Sequence, residues 1–132
     1  MIDTSIWVDC LRAGSSESVR RQTSGVLAGY ECFICEPVAF ELLRAVPKRD
    51  RSRTEALLAT VPTLPTPPGL WTAAQLLGQK CLDIGFLPPP MDLLIAQICL
   101  YHGTTLVTFD AHFQQISQVS LLKTDLRLRA PQ

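Results

Sequence analysis

The chain has 132 residues, 47% hydrophobic and 18% charged, with 12 Lys+Arg against 12 Asp+Glu and a formal charge of zero. That length suits one domain over residues 1–132, because domains cluster at roughly 100–150 residues, and the apolar share excludes a disordered chain. The charge balance argues against a wholly basic protein that coats nucleic acid, though not against a local basic surface. Five Phe, two Trp and two Tyr are too few for an aromatic stacking platform.

No apolar run approaches the ~18–20 residues needed to span a bilayer. Asp3 and Asp9 interrupt the apolar opening and no basic leader precedes it, unlike a secretory signal. Five cysteines (Cys10, Cys32, Cys35, Cys81 and Cys99) make an odd count in apolar surroundings. That pattern points to reduced thiols in a cytoplasmic protein rather than a disulfide framework.

In chain order, Met1 to Asp3 reads as the tail of a short strand. A helix follows over Ser5 to Leu11, with Thr4 or Ser5 placed to cap it. Glu17 to Tyr30 predicts a second helix. Cys32 to Cys35 is a short apolar strand, and Pro37 suits the first helical position of Val38 to Val46. Pro47 interrupts, and Arg51 to Thr60 continues as a helix. The proline-rich stretches 61–68 and 88–90 read as loops. Gly69 to Ile84 carries apolar residues near a 3.6 period. Asp92 to Tyr101 is almost wholly apolar, a buried helix closed by His102 and Gly103. Thr104 to Thr108 is a β-branched strand, Ala111 to Ser117 a short helix, and Val119 to Leu122 a last strand. Strand–helix alternation with apolar strands implies an α/β fold whose mostly parallel sheet is covered on both faces.

In such sheets, chemistry gathers at the carboxyl ends of the strands. Asp3 ends the first strand, and Asp110 follows the TTLVT strand by two residues. Asp92 opens a helix, and Glu41 lies one turn into the helix leaving the CFIC strand. The remaining acids, Asp9 and Asp125 among them, fall on predicted solvent faces or loops. Carboxylates brought together repel unless a cation sits between them. Oxygen donors without a His/Cys cluster point to Mg²⁺ or Mn²⁺, the usual ions of phosphoryl transfer.

The segments around these acids resemble the PIN-domain family, in particular the VapC-type toxins of toxin–antitoxin pairs. IDTSIWVDCLR is similar to the family's first motif. PVAFELLRA, with Glu41, is similar to the second. MDLLIAQICLYHG, with Asp92, is similar to the third, and LVTFDAHFQQI, with Thr108, Asp110 and Phe113, to the fourth. The four occur in order from Ile2 to Ile116. The resemblance implies a three-layer α/β/α sandwich. It implies a Mg²⁺- or Mn²⁺-dependent endoribonuclease leaving 5′-phosphate and 3′-hydroxyl ends, inhibited by a VapB-type antitoxin and acting as a homodimer. Asp3 and Asp92 match the acids most directly tied to the metal. Glu41 and Asp110 match the other two, and Thr108 matches a polar neighbour. Only Met1 and Ile2 precede Asp3, fewer residues than the family's first strand usually has.

Arg44, Lys48 and Arg51 fall at i, i+4 and i+7, a stripe on the Glu41 helix suited to RNA phosphates, with Arg49 and Arg53 flanking it. Lys123, Arg127 and Arg129 form a second basic patch. Trp7 and Trp71 read as buried, and His112 as exposed beside Asp110. Cys32 and Cys35 lack the second pair that zinc would need. Two other functions fit parts of the pattern. One is a catalytically inactive PIN-like binding module, which would be expected to lose at least one acid. The other is a phosphoacceptor receiver domain, which would need a second acid beside Asp3 and a lysine after its last strand.

Overall fold

The computed structural model describes residues 1–132. Its helices are α1 (Thr4–Leu11), α2 (Glu17–Gly29), α3 (Glu36–Ala45), α4 (Arg51–Leu58), α5 (Leu70–Asp83), α6 (Pro90–His102) and α7 (His112–Ser117). A single 3₁₀ turn, Lys48–Asp50, separates α3 from α4.

The sheet is made of very short segments. Strands β1 (Leu106–Thr108) and β2 (Thr124–Leu126) pair in parallel, with Leu106 opposite Thr124. Ile2 bridges Val107 in parallel, and Ile34 bridges Thr63 in parallel. The two halves join where Ile2 N donates to Phe33 O at 3.0 Å. Across the sheet the order is therefore Thr63, Ile34, Ile2, Val107, Asp125, which is third, second, first, fourth, fifth in the chain. Chain order reverses between the Ile2 segment and β1. Asp3 N to Val107 O at 3.0 Å and Val107 N to Met1 O at 2.9 Å hold that junction. A reversal of this kind opens a crevice at the carboxyl ends of the strands. The two residues before Asp3 are enough to pair on both edges.

Helices α1 to α4 pack among themselves, α1 against α2 and α3, and α3 against α4. Helices α5, α6 and α7 pack together as a second set. These are the outer layers of the α/β/α arrangement. A core of 25 buried hydrophobic residues runs between them. Helix α6 is buried nearly all round, at Leu93, Leu94, Ile95, Ala96, Ile98 and Cys99, which explains its missing polar face. Gly103 closes it at φ 63, a left-handed position that penalises any side chain. Ile95 is fully buried. Ile95→Ala should cost about 3 kcal/mol in chemical denaturation, the lost transfer energy plus a cavity. A loss below about 1 kcal/mol would mean that the site collapses freely. No helix is long and apolar enough to cross a membrane.

Several expectations need correction. The cap of α1 is Asp3, not Thr4 or Ser5, because its carboxylate accepts from Ser5 N. Helix α3 begins at Glu36, so Pro37 sits one residue inside it. The proline-rich 61–68 stretch is not loop throughout. Pro62 lends its carbonyl to Ile34 N, and Leu64 N donates to Ile34 O, at 3.0 and 2.8 Å. An edge segment uses donors on one side only, so proline is tolerated there. The last strand is Thr124–Leu126, not Val119 to Leu122. Pairing with β1 decides it over β-propensity, and Val119 packs on the core instead. The Arg44–Lys48–Arg51 stripe does not lie on one helix. Pro47 ends α3, Lys48 enters the 3₁₀ turn and Arg51 starts α4, all three exposed.

Trp7 is buried as expected, but Trp71 is 75% exposed. Asp9 is 1% exposed rather than solvated. Arg129 Nε stands 2.7 Å from its Oδ2 and balances the charge. Asp125 is also held, by Tyr30 and Arg127. Two cations of the second basic patch are thus engaged within the protein.

Candidate active site

The site lies where the sheet reverses order, and its foundation is a hydroxyl network that staples two strand ends. Asp3 is 4% exposed. Its Oδ2 accepts from Ser5 Oγ at 2.7 Å, Ser5 N at 3.3 Å and Thr108 Oγ1 at 2.8 Å. Thr108 Oγ1 in turn accepts from Asp110 N at 2.9 Å, and Ser5 Oγ from Phe109 N at 3.2 Å. One carboxylate oxygen therefore organises both the start of α1 and the turn after β1, leaving Oδ1 for another partner. Burial pushes the Asp3 carboxyl above its ordinary range, and the Ser5 and Thr108 hydrogen bonds pull partly the other way.

Glu41, on α3, is oriented by Thr4 Oγ1, which donates to its Oε1 at 2.7 Å. Thr4 and Ser5 immediately follow Asp3, so three consecutive residues reach one site. Asp110 closes a turn in which its Oδ1 accepts from His112 N at 2.9 Å.

Asp92 sits in the first turn of α6, where the helix dipole favours its charge. Its carboxyl is nevertheless pushed up to about 7. Burial is the main cause, followed by repulsion from Asp110, Asp3 and Glu41, with His112 acting in the opposite sense. All four acids singled out in the sequence, with Thr108 among them, therefore meet at one place. The ligand atoms of Asp92, Asp110 and His112 lie within 4.8 Å of one another. Asp3 and Glu41 complete the surround without joining that closest group.

A half-buried carboxyl raised by burial and then by three carboxylate neighbours fits a divalent cation that would relieve their repulsion. Carboxylate oxygens with one imidazole suit a divalent cation rather than a soft thiophilic ion. Thiols are not contenders: burial raises Cys35 and Cys99 to about 12, so neither is a thiolate near neutrality.

Sequence reading missed the structural work of Ser5 and the place of His112 in the tight group. Ser5 had a visible signal, two residues after a strand-end acid. His112 shares a turn with Asp110, its Nδ1 3.2 Å from Asp110 Oδ1. Arg44, Lys48 and Arg51 form no hydrogen bond or ion pair with the four acids.

Comparison with known proteins places this geometry. A family model described as the PIN domain matches residues 1–119. The VapC ribonuclease Mb1587 of Mycobacterium bovis is 31% identical over 135 residues, covering 93% of this chain and 95% of that protein. Ribonuclease VapC11 of Mycobacterium tuberculosis matches to the same extent, 31% over 135 residues. Among solved structures, VapBC2 from Rickettsia felis bound to a promoter DNA fragment superposes with a TM-score of 0.73. It shares 19% identity over 96% of each chain, and so shares the fold. On the match along most of its length and the relatives that share it, the chain belongs to the PIN domain family.

Proposed function

We propose that the chain is a Mg²⁺- or Mn²⁺-dependent endoribonuclease, the VapC-type toxin of a toxin–antitoxin pair, its activity carried by one domain over residues 1–132. The observation that carries this reading is the convergence of four carboxylates from four separate segments, whose repulsion adds to burial in raising Asp92 to about 7. The named ribonuclease relatives support the same activity.

In this reading Asp92, Asp110 and Asp3 hold the ion, with His112 beside them. When bound, the ion neutralises charge on the scissile phosphate and acidifies a water. The chain's own side chains do the rest. Thr108 and Ser5 lock Asp3 Oδ2, so Oδ1 keeps a fixed direction. Thr4 ties down Glu41 Oε1, which leaves Oε2 to accept the proton of the attacking water and align it with the phosphorus. A VapB-type antitoxin, homodimerisation and a cytoplasmic setting for the five free thiols belong to the same reading.

The test is cleavage mapping. Purified protein incubated with total RNA should cut it with Mg²⁺ or Mn²⁺, stop with EDTA, and leave 5′-phosphate ends. RNA that stays intact with both metals would refute the assignment.

A further inference from the structure

The C-terminal segment lies beyond the residues matched by the family model, which end at 119. It is nonetheless bound down along its length. Gln22 Nε2 donates to Leu128 O, and Ala130 N donates to Gln22 Oε1 at 2.7 Å. Ser16 Oγ and Ser18 Oγ both donate to Pro131 O, at 2.8 and 2.7 Å. This strap ties the chain end to the first half of α2 and delivers Arg129 to the acid site. Arg129 lines an open cleft of about 330 Å³ with Ser5, Phe109, Asp110 and Ala111.

Two contacts fix the Arg129 guanidinium. Its Nε stands 2.7 Å from Asp9 Oδ2 as an ion pair, and its Cζ lies 5.5 Å from the centroid of the Phe109 ring. Asp9, buried on α1, anchors the Nε edge, and Phe109 supports the plane. The side chain remains 46% exposed and lines the same open cleft as Asp110, without an ion pair to it. A guanidinium offers donors in a rigid fork that matches a phosphate. The strap thus sets a preoriented cation at the edge of a site whose other charged groups are mainly carboxylates.

We infer that Arg129 is a substrate-binding residue that grips an RNA phosphate next to the scissile one on the Asp110 side, with Asp9 as its positioning residue. This rests on the ribonuclease reading above. The C-terminal strap then belongs to the active site, and phosphate recognition comes from outside the four-acid motif set. It also separates Arg129 from Arg127, whose guanidinium is engaged with Asp125 and Tyr30.

The experiment compares wild type, Arg129→Lys and the double variant Asp9→Asn/Arg129→Ala. The double variant removes both charges, so no buried carboxylate is stranded. The probe is a short fluorescein-labelled single-stranded RNA spanning the cut mapped in total RNA. KM and kcat are measured across a salt series, with thermal midpoints alongside. The double variant should raise KM about tenfold or more, as for loss of a charge-assisted hydrogen bond, and leave kcat within about twofold. Its salt dependence should flatten by about 0.7 in the log–log slope, one phosphate contact fewer on a single strand. Arg129→Lys should recover part of the affinity.

An unchanged KM and salt slope in the double variant, with wild type active, overturns this inference alone. So does a fall in kcat at constant KM, which would assign Arg129 to the geometry of the acids. Wild type that cuts no RNA with either metal overturns both this inference and the activity on which it rests.

Discussion

Asp92→Asn should lower metal-dependent RNA cleavage by about a thousandfold or more, while making the metal-free protein more stable at pH 8. The two effects share one cause. In the folded chain the carboxyl is raised to about 7, against roughly 3.9 when unfolded. The folded state therefore binds this proton more tightly. Its contribution to stability is fully present below about pH 4 and is lost as pH rises through about 7. Undamped, that shift would amount to about 4 kcal/mol. Solvent screening of a half-buried group brings it to about 1–2 kcal/mol. Asparagine does not titrate, so the variant lacks this loss. Thermal melts at pH 5 and pH 8, with and without Mg²⁺, check the argument. Wild type should gain most from Mg²⁺ at pH 8, and the variant little. An active variant, or one less stable than wild type at pH 8, would show that Asp92 serves the fold rather than an ion.

Thr108→Val should be the most damaging near-isosteric change at the site. The residue is 0% exposed. Its hydroxyl donates to Asp3 Oδ2 at 2.8 Å and accepts from Asp110 N at 2.9 Å. Valine fills the same space but strands the Asp110 N–H and removes one of the three donors to Asp3 Oδ2. The unmet N–H and the lost bond to a carboxylate each cost about 1–3 kcal/mol, so a loss of about 2–4 kcal/mol is expected in urea. The Asp3 carboxyl should also rise further, since the Thr108 hydrogen bond holds it down. Activity should fall about ten- to a hundredfold as Asp3 and Asp110 lose their common tether. Thr108→Ser keeps the hydroxyl and should restore most of both. A valine variant as stable as wild type would mean that Ser5 alone suffices to hold Asp3.

The contrast between Asp92 and Asp9 shows how far sequence reading reaches. Both are acids near helices with apolar neighbours. Asp92 was readable because it opens a helix within a recognisable motif. Asp9 looked like a solvated residue of α1, and nothing local betrays its burial. Its partner, Arg129, arrives from the far end of the chain. Trp71 errs in the opposite direction. As a large apolar side chain opening the helix after the proline-rich loop it reads as buried, yet it projects from α5 with 75% exposure. Periodicity identifies a helix and its dominant face, but not whether a neighbouring element covers a residue at the edge of that face.

The sequence by itself determined the helices, their main breaks and which four acids would be brought together. Apolar spacing, prolines and glycines act over a few residues, and the four acids keep their order in the chain. Tertiary structure alone decided the order of the sheet, the pairing of 124–126 rather than 119–122, and the ties that orient the acids. Thr108 and Asp3 are 105 positions apart. Whether they meet depends on loop closure and strand pairing across the whole molecule, which no local pattern encodes.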